Sequence, residues 1–276
     1  MVTRKILVVL SEHGYWGEEL VGPLSHFDEQ GYEVVFATPT GVRAHALPPS
    51  TDPDYVDPPL GRSVVSTTVA ERVREIDGSE RLDAPVSIAD LVPERPYTSE
   101  PDYLRKLEAY NREAGDRLDE RLAGYDALLI VGGSGPIVDL ANNGRVHDVV
   151  LSFLRTGKVI GAECYGVACL AFARSWEDRR SIIWGKHVTG HCKEYDYKDG
   201  TGFLGTDFNM GPPPYPLEYI LRDATGPDGA YHGNFGKEES VIVDFPFVTG
   251  RSTPDSYGTG LRMVDVLERG LRRYGW

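Results

Sequence analysis

Apolar residues in this chain fall in short dense runs separated by longer amphipathic stretches. Residues 6–10 form a continuous apolar run, the pattern of a strand covered on both faces. Over residues 18–30, Leu20, Leu24 and Phe27 share one helical face and Gly31 supplies a stop, so the spacing predicts a helix. Residues 34–37 predict a second strand. Strand, helix, strand in this order is a βαβ opening, which favours a parallel sheet. The alternation lapses over residues 39–101, where Pro, Asp, Ser and Thr are frequent. A structureless loop of that length is uncommon in a compact domain. The expectation is therefore an insertion within a single domain spanning 1–276. It would carry short helices at 70–76 and 88–91 and cap one end of the sheet, with disorder as the alternative. A charged helix is predicted over 102–122, a strand over 127–131, a helix over 144–155 and a strand over 159–162. Further strands are expected at 187–189 and 240–243, and a last helix from Asp255 or Ser256 to near Arg273.

Composition narrows the class. The chain has 276 residues, 41% hydrophobic and 26% charged, ample for the core of one large α/β domain. A net charge of −13 sets it against nucleic acid and anionic membrane as partners. No apolar run approaches the length of a membrane span. The basic start before residues 6–10 invites a signal-peptide reading, but that run is short and lacks a small-residue cleavage site. Three cysteines without paired spacing point to a reducing cytoplasm.

The chemistry centres on Cys164. It follows the apolar run Val159-Ile160-Gly161-Ala162, sits in Glu163-Cys164-Tyr165-Gly166, and precedes the small-residue stretch Val167-Ala168-Cys169-Leu170-Ala171. That order reads as strand, sharp turn, helix, a nucleophile elbow that lifts the side chain above the sheet end. A helix start favours thiolate over thiol. Cys169 reads as core, and Cys192 beside His191 as exposed. Gly132-Gly133-Ser134-Gly135 follows the preceding strand, where backbone N–H groups near Gly133 and Tyr165 could form an oxyanion hole; a phosphate loop or plain turn is the alternative. Glu18 and Glu19 follow the first strand, where a carboxylate could move the thiol proton or simply serve the helix dipole.

Four stretches together resemble the DJ-1/PfpI superfamily, in its larger Hsp31-like branch. They are Glu19-Leu20-Val21-Gly22-Pro23 leading to Gly31-Tyr32-Glu33-Val34; Val131-Gly132-Gly133-Ser134-Gly135; the segment from Gly157 to Gly166 around Cys164; and Val248-Thr249-Gly250-Arg251-Ser252-Thr253-Pro254. The resemblance implies a flavodoxin-like three-layer α/β sandwich with a mostly parallel sheet, a nucleophilic Cys164, an acid that maps to Glu19, and a homodimer. Two positions depart from the family. Tyr165 stands where a His usually follows the nucleophile, and Ser134 where many members have His. A histidine could come from elsewhere, and His191 and His232 are the catalytic candidates. His13, Tyr15, Trp16 and Ser134 are expected at the pocket. No ligand spacing supports a metal site, no first-turn fingerprint supports a dinucleotide, and no cofactor is expected. A glutamine-amidotransferase reading shares the elbow but needs a late His-Glu pair that is not evident. The functional expectation is a cysteine-dependent enzyme acting on a small electrophilic metabolite, by hydratase, lyase or isomerase chemistry. The alternative is a chaperone or a thiol redox sensor.

Overall fold

The computed structural model describes residues 3–57, 61–195 and 216–276. The main strands are β1 (Lys5–Val9), β2 (Glu33–Thr38), β5 (Val86–Ser87), β6 (Ala127–Ile130), β7 (Val159–Glu163), β10 (Val241–Asp244), β11 (Phe247–Gly250) and β12 (Arg273–Tyr274). They form one sheet in the order β12-β10-β11-β7-β6-β1-β2-β5. From β11 to β5 every pairing is parallel, and β10 and β12 close one side antiparallel. Two small sheets lie outside it, pairing β3 (Val56–Asp57) with β4 (Arg62–Ser63) and β8 (His187–Val188) with β9 (Ala230–Tyr231).

The twofold side-chain alternation of a strand sorts β1 between two cores. Leu7 and Val9 pack on one face with α5 (Leu118–Arg121), α7 (Gly144–Arg155), α8 (Ala168–Phe172) and α9 (Leu217–Thr225). Ile6, Val8 and Leu10 pack on the other with α1 (Gly17–Glu29), α2 (Thr67–Asp77) and α10 (Ser256–Arg269). This is the three-layer α/β arrangement of the flavodoxin-like class. Shorter helices α3 (Ile88–Leu91), α4 (Tyr103–Arg112) and α6 (Gly135–Asp139) complete the layers.

The 39–101 segment is built into this framework. Its α2 packs on α1, with Val73 against Gly17, and its β5 adds an edge strand beside β2. Residues 58–60 of it lie outside the described residues. Two element expectations need correction. The charged helix over 102–122 is broken, because Gly115 leaves helical geometry between α4 and α5. The last helix stops at Arg269, where Gly270 takes a left-handed C-terminal cap, and the chain beyond returns as β12. The strand expected at 187–189 forms as β8, which pairs with β9 outside the main sheet. β11 was hidden inside the Val248–Pro254 motif.

One packing detail positions the chemistry. Helices α1 and α10 touch along small residues: a Cβ on Gly22 would lie 2.7 Å from Ser256, and one on Gly260 would lie 2.5 Å from Pro23 Cα. That approach sets the start of α10 against Glu19 and the end of β7.

Candidate active site

β1, β6 and β7 are neighbours, and their carboxyl ends carry the site, where ligands bind in open α/β sheets. Cys164 follows β7 with φ of +52°, a left-handed conformation that costs a residue with a Cβ free energy. The surrounding fold imposes it: Gly166 packs under the turn, where a Cβ would lie 2.7 Å from the Ile130 carbonyl oxygen. The thiol is only 4% exposed.

Glu19, in the first turn of α1, is 1% exposed. Thr253 Oγ1 donates to its Oε1 at 3.3 Å. Its Oε2 is buried beside the thiol, and the Cys164 side chain and the Gly133 N–H also interact with the carboxyl. Gly132 separates the two groups so narrowly that a Cβ there would lie 2.2 Å from Glu19 Oε2 and 2.6 Å from Cys164 Cβ. Burial pushes the Glu19 carboxyl up to about 7, while Cys164, His191, Thr253 and the Gly133 N–H work in the opposite direction.

On the other side of the thiol, His191 Nδ1 lies 3.3 Å from Cys164 Sγ. The His191 ring stacks on Tyr165, with centroids 4.3 Å apart and planes 24° apart. So Tyr165 forms a platform for a histidine brought in from the segment after β8. Tyr195 lies 5.3 Å from the same ring, and Phe235 lies 5.5 Å from Tyr195. The N–H groups of Gly133 and Tyr165 both donate toward the sulfur. They are placed to serve an oxyanion formed there.

The resting thiol is not thiolate-favoured as the helix-start argument expects. Burial first, then the Glu19 charge, push it well above the usual thiol range, and the two N–H groups offset only part of this. The turn after β7 opens as a single 3-10 turn and α8 is short, so little helix dipole reaches the sulfur.

Other candidates sit elsewhere. His232 Nε2 faces His187 Nδ1 at 2.8 Å, and His187 stacks on Trp276; the second catalytic candidate thus belongs to a histidine pair at the C-terminal strand. Tyr15 is core, its hydroxyl donating to Asp77 Oδ1 at 2.8 Å to tie the segment before α1 to the end of α2, so it is not a pocket wall. His13 is exposed, with its N–H held by Ser11 Oγ. Trp16 is half-buried and its N–H donates to the Gly132 carbonyl, next to the oxyanion donors. Ser134 is half-buried at the start of α6. Cys192 is buried rather than exposed.

Sequence reasoning missed Glu163, a second buried carboxylate one residue before the nucleophile. Ser256 Oγ donates to its Oε1 at 2.6 Å, and burial and the charge of Glu19 push it well up. It missed Thr253 as the Glu19 partner. It also missed the buried pair of Arg251 and Asp255, at 3.0 Å; Arg251 further donates to the carbonyls of Asn234 and Lys237. Arg251 and Thr253 lie in the Val248–Pro254 stretch and Glu163 in the stretch around Cys164, while Asp255 was read only as a helix start. Among the described residues, no three His, Cys, Asp or Glu side chains gather to hold a metal ion, and no helix is long and apolar enough to cross a membrane.

The model of the family described as "ThiJ/PfpI family-like" matches residues 10–195. The chain belongs to the ThiJ/PfpI-like family. The match takes in Glu19, the Gly132-Gly133 turn, the Cys164 elbow and His191. Glutamine amidotransferase-like class 1 domain-containing protein 1 of Bos taurus is 32% identical over 130 residues, covering 47% of this chain and 54% of that protein. The chain therefore spans about half the length of this curated relative. The solved structure of Rapid Encystment Protein 24 KDa of Francisella tularensis is 19% identical, with a TM-score of 0.68, over 96% of this chain and 99% of that one. Glyoxalase III of Candida albicans is 18% identical, with a TM-score of 0.62, over 96% and 98%. At these identities the two structures show the shared fold.

Proposed function

We propose that the chain is a cysteine-dependent enzyme acting on a small electrophilic metabolite, a carbonyl, 2-oxoaldehyde, isonitrile or similar compound. The observation that carries this is the constellation at one sulfur: Cys164 Sγ lies 3.3 Å from His191 Nδ1, with a buried Glu19 on its other side. With an aldehyde, a bond forms from Sγ to the carbonyl carbon and the π pair moves to oxygen. The S–H proton passes to His191 and returns to that oxygen, giving a thiohemiacetal with atoms and charge in balance. The Gly133 and Tyr165 N–H groups stabilise the oxygen before it is protonated. Glu19, titrating at about 7, is suited to take and return a proton at the adduct near neutral pH. A thiol this buried favours small substrates, and the fold neighbour whose name is glyoxalase III supports trying 2-oxoaldehydes first.

A redox-sensor reading gains one point: below about pH 7 the Glu19 carboxyl could donate to an oxidised sulfur. It is disfavoured because sensor cysteines are exposed and low in pKa, whereas this thiol is buried and raised. The test is steady-state turnover of a panel of 2-oxoaldehydes and isonitriles. Saturable turnover lost in Cys164→Ala is expected. Absence of turnover across the panel, with ready oxidation of Cys164 to the sulfinic acid, would favour the sensor.

A further inference from the structure

A cavity of about 630 Å³ opens on the α7 side of the sheet, apart from the Cys164 site. Three of the chain segments that line it bring arginine. Arg95 comes from the end of the 39–101 segment, Arg145 from the first turn of α7, and Arg174 and Arg179 from the turn after α8, which is closed by a bridge between Arg174 and Ser181. In a chain of net charge −13, such convergence of cations runs against the composition. None of the four guanidinium groups forms a hydrogen bond or ion pair among the described residues, and Arg145 Nε is buried without a partner. Other arginines here are largely satisfied, as with Arg155 on Asp119 and Arg81 on Asp28. Arg95, Arg174 and Arg179 are exposed at the cavity and Arg145 is half-buried; like charges converging there repel one another, and the buried Arg145 Nε left unmade costs free energy.

The acids at the cavity offset them only in part, Asp148 facing the charge of Arg95. Asp148 accepts a hydrogen bond from Tyr110, and burial pushes it up to about 6. Glu94 accepts from the Tyr97 hydroxyl at 3.1 Å. The α7 N-terminus is already capped by Asn143 Oδ1, which accepts from the Arg145 N–H at 3.0 Å, so the arginines rather than the helix end carry the site. Phe172 and Trp176 give it apolar walls, and its volume is that of a small-molecule site.

We propose that this cavity binds a small organic polyanion, with two or more phosphate or carboxylate groups held by Arg95, Arg145, Arg174 and Arg179. Guanidinium groups suit both because their paired N–H donors match two oxygens at once. The site is independent of the Cys164 chemistry.

Isothermal titration calorimetry at fixed ionic strength tests it, with inorganic pyrophosphate in one arm and citrate in the other to separate phosphate from carboxylate ligands. Saturable 1:1 binding of at least one anion is expected, with the dissociation constant raised at least tenfold in Arg145→Gln and in Arg174→Gln. Cys164→Ala should bind as wild type, and so should Arg180→Gln, whose guanidinium instead covers Trp184. If Arg145→Gln fails to fold, Arg95→Gln on the loop gives the same readout. Absence of saturable binding by either anion would overturn the proposal, as would equal affinity in the cavity variants or an equal loss in Arg180→Gln.

Discussion

His191 and Tyr165 act together beside the sulfur. The imidazole meets the sulfur at 3.3 Å, and the tyrosine ring holds it by stacking. His191→Gln is expected to lower turnover by about 10²- to 10⁴-fold, the range for losing a general acid–base group. Tyr165→Ala should lower it less, by disordering the imidazole, and Tyr165→Phe should restore it. Steady-state kinetics on the folded variants check both. The backbone at Cys164 gives a stability prediction of its own. With φ at +52°, Cys164→Gly should be more stable than Cys164→Ala by about 1 kcal/mol, read by chemical denaturation. At this scale Cys164 and Glu19 were legible because each sits beside a turn signal of fixed meaning. His191 was one candidate among several, because the contact spans 27 residues and a segment with no periodic pattern. Glu163 was hidden by reading as part of the strand.

The elements are held around the site by a few buried polar ties. Arg251, 1% exposed, pairs with Asp255 at the start of α10 and holds two carbonyls of the 234–237 loop. Removing one partner strands the other charge in the interior. Arg251→Met is expected to cost about 3–5 kcal/mol, measured by urea unfolding, and to weaken turnover through the displaced Thr253–Glu19 contact. The alternation of strands and helices was readable because each covered strand is a short apolar run and each helix has a one-sided stripe. What failed was local: a glycine that breaks one helix, a glycine that ends another, and a short strand whose residues carried a motif. In each case a backbone conformation, not side-chain pattern, decided the outcome.

Buried carboxyls give the whole molecule a signed pH dependence. Burial pushes Glu18 and Glu19 to about 7 and Asp148 to about 6. A carboxyl raised on folding binds its proton more tightly in the native state, so its contribution is full below the unfolded value of about 4.3 and is lost as pH rises through the folded value. Stability should therefore decline between about pH 4.5 and 7, and Glu19→Gln should flatten part of that decline in urea unfolding series at several pH values. An equal slope in the variant would contradict the assignment. Net charge was readable from composition, but the arginine cavity was not, because its residues are spread from 95 to 179 and only the fold gathers them.

The coupling of one thiol to one carboxylate is tested most directly by the rate of Cys164 alkylation with iodoacetamide against pH, read by peptide mass spectrometry. In the wild type the midpoint should lie above the free-thiol value of about 8.5, because burial and Glu19 both raise it. Glu19→Gln removes the opposing charge and should move the midpoint down. A wild-type midpoint at the free-thiol value, unchanged by Glu19→Gln, would contradict a coupled site.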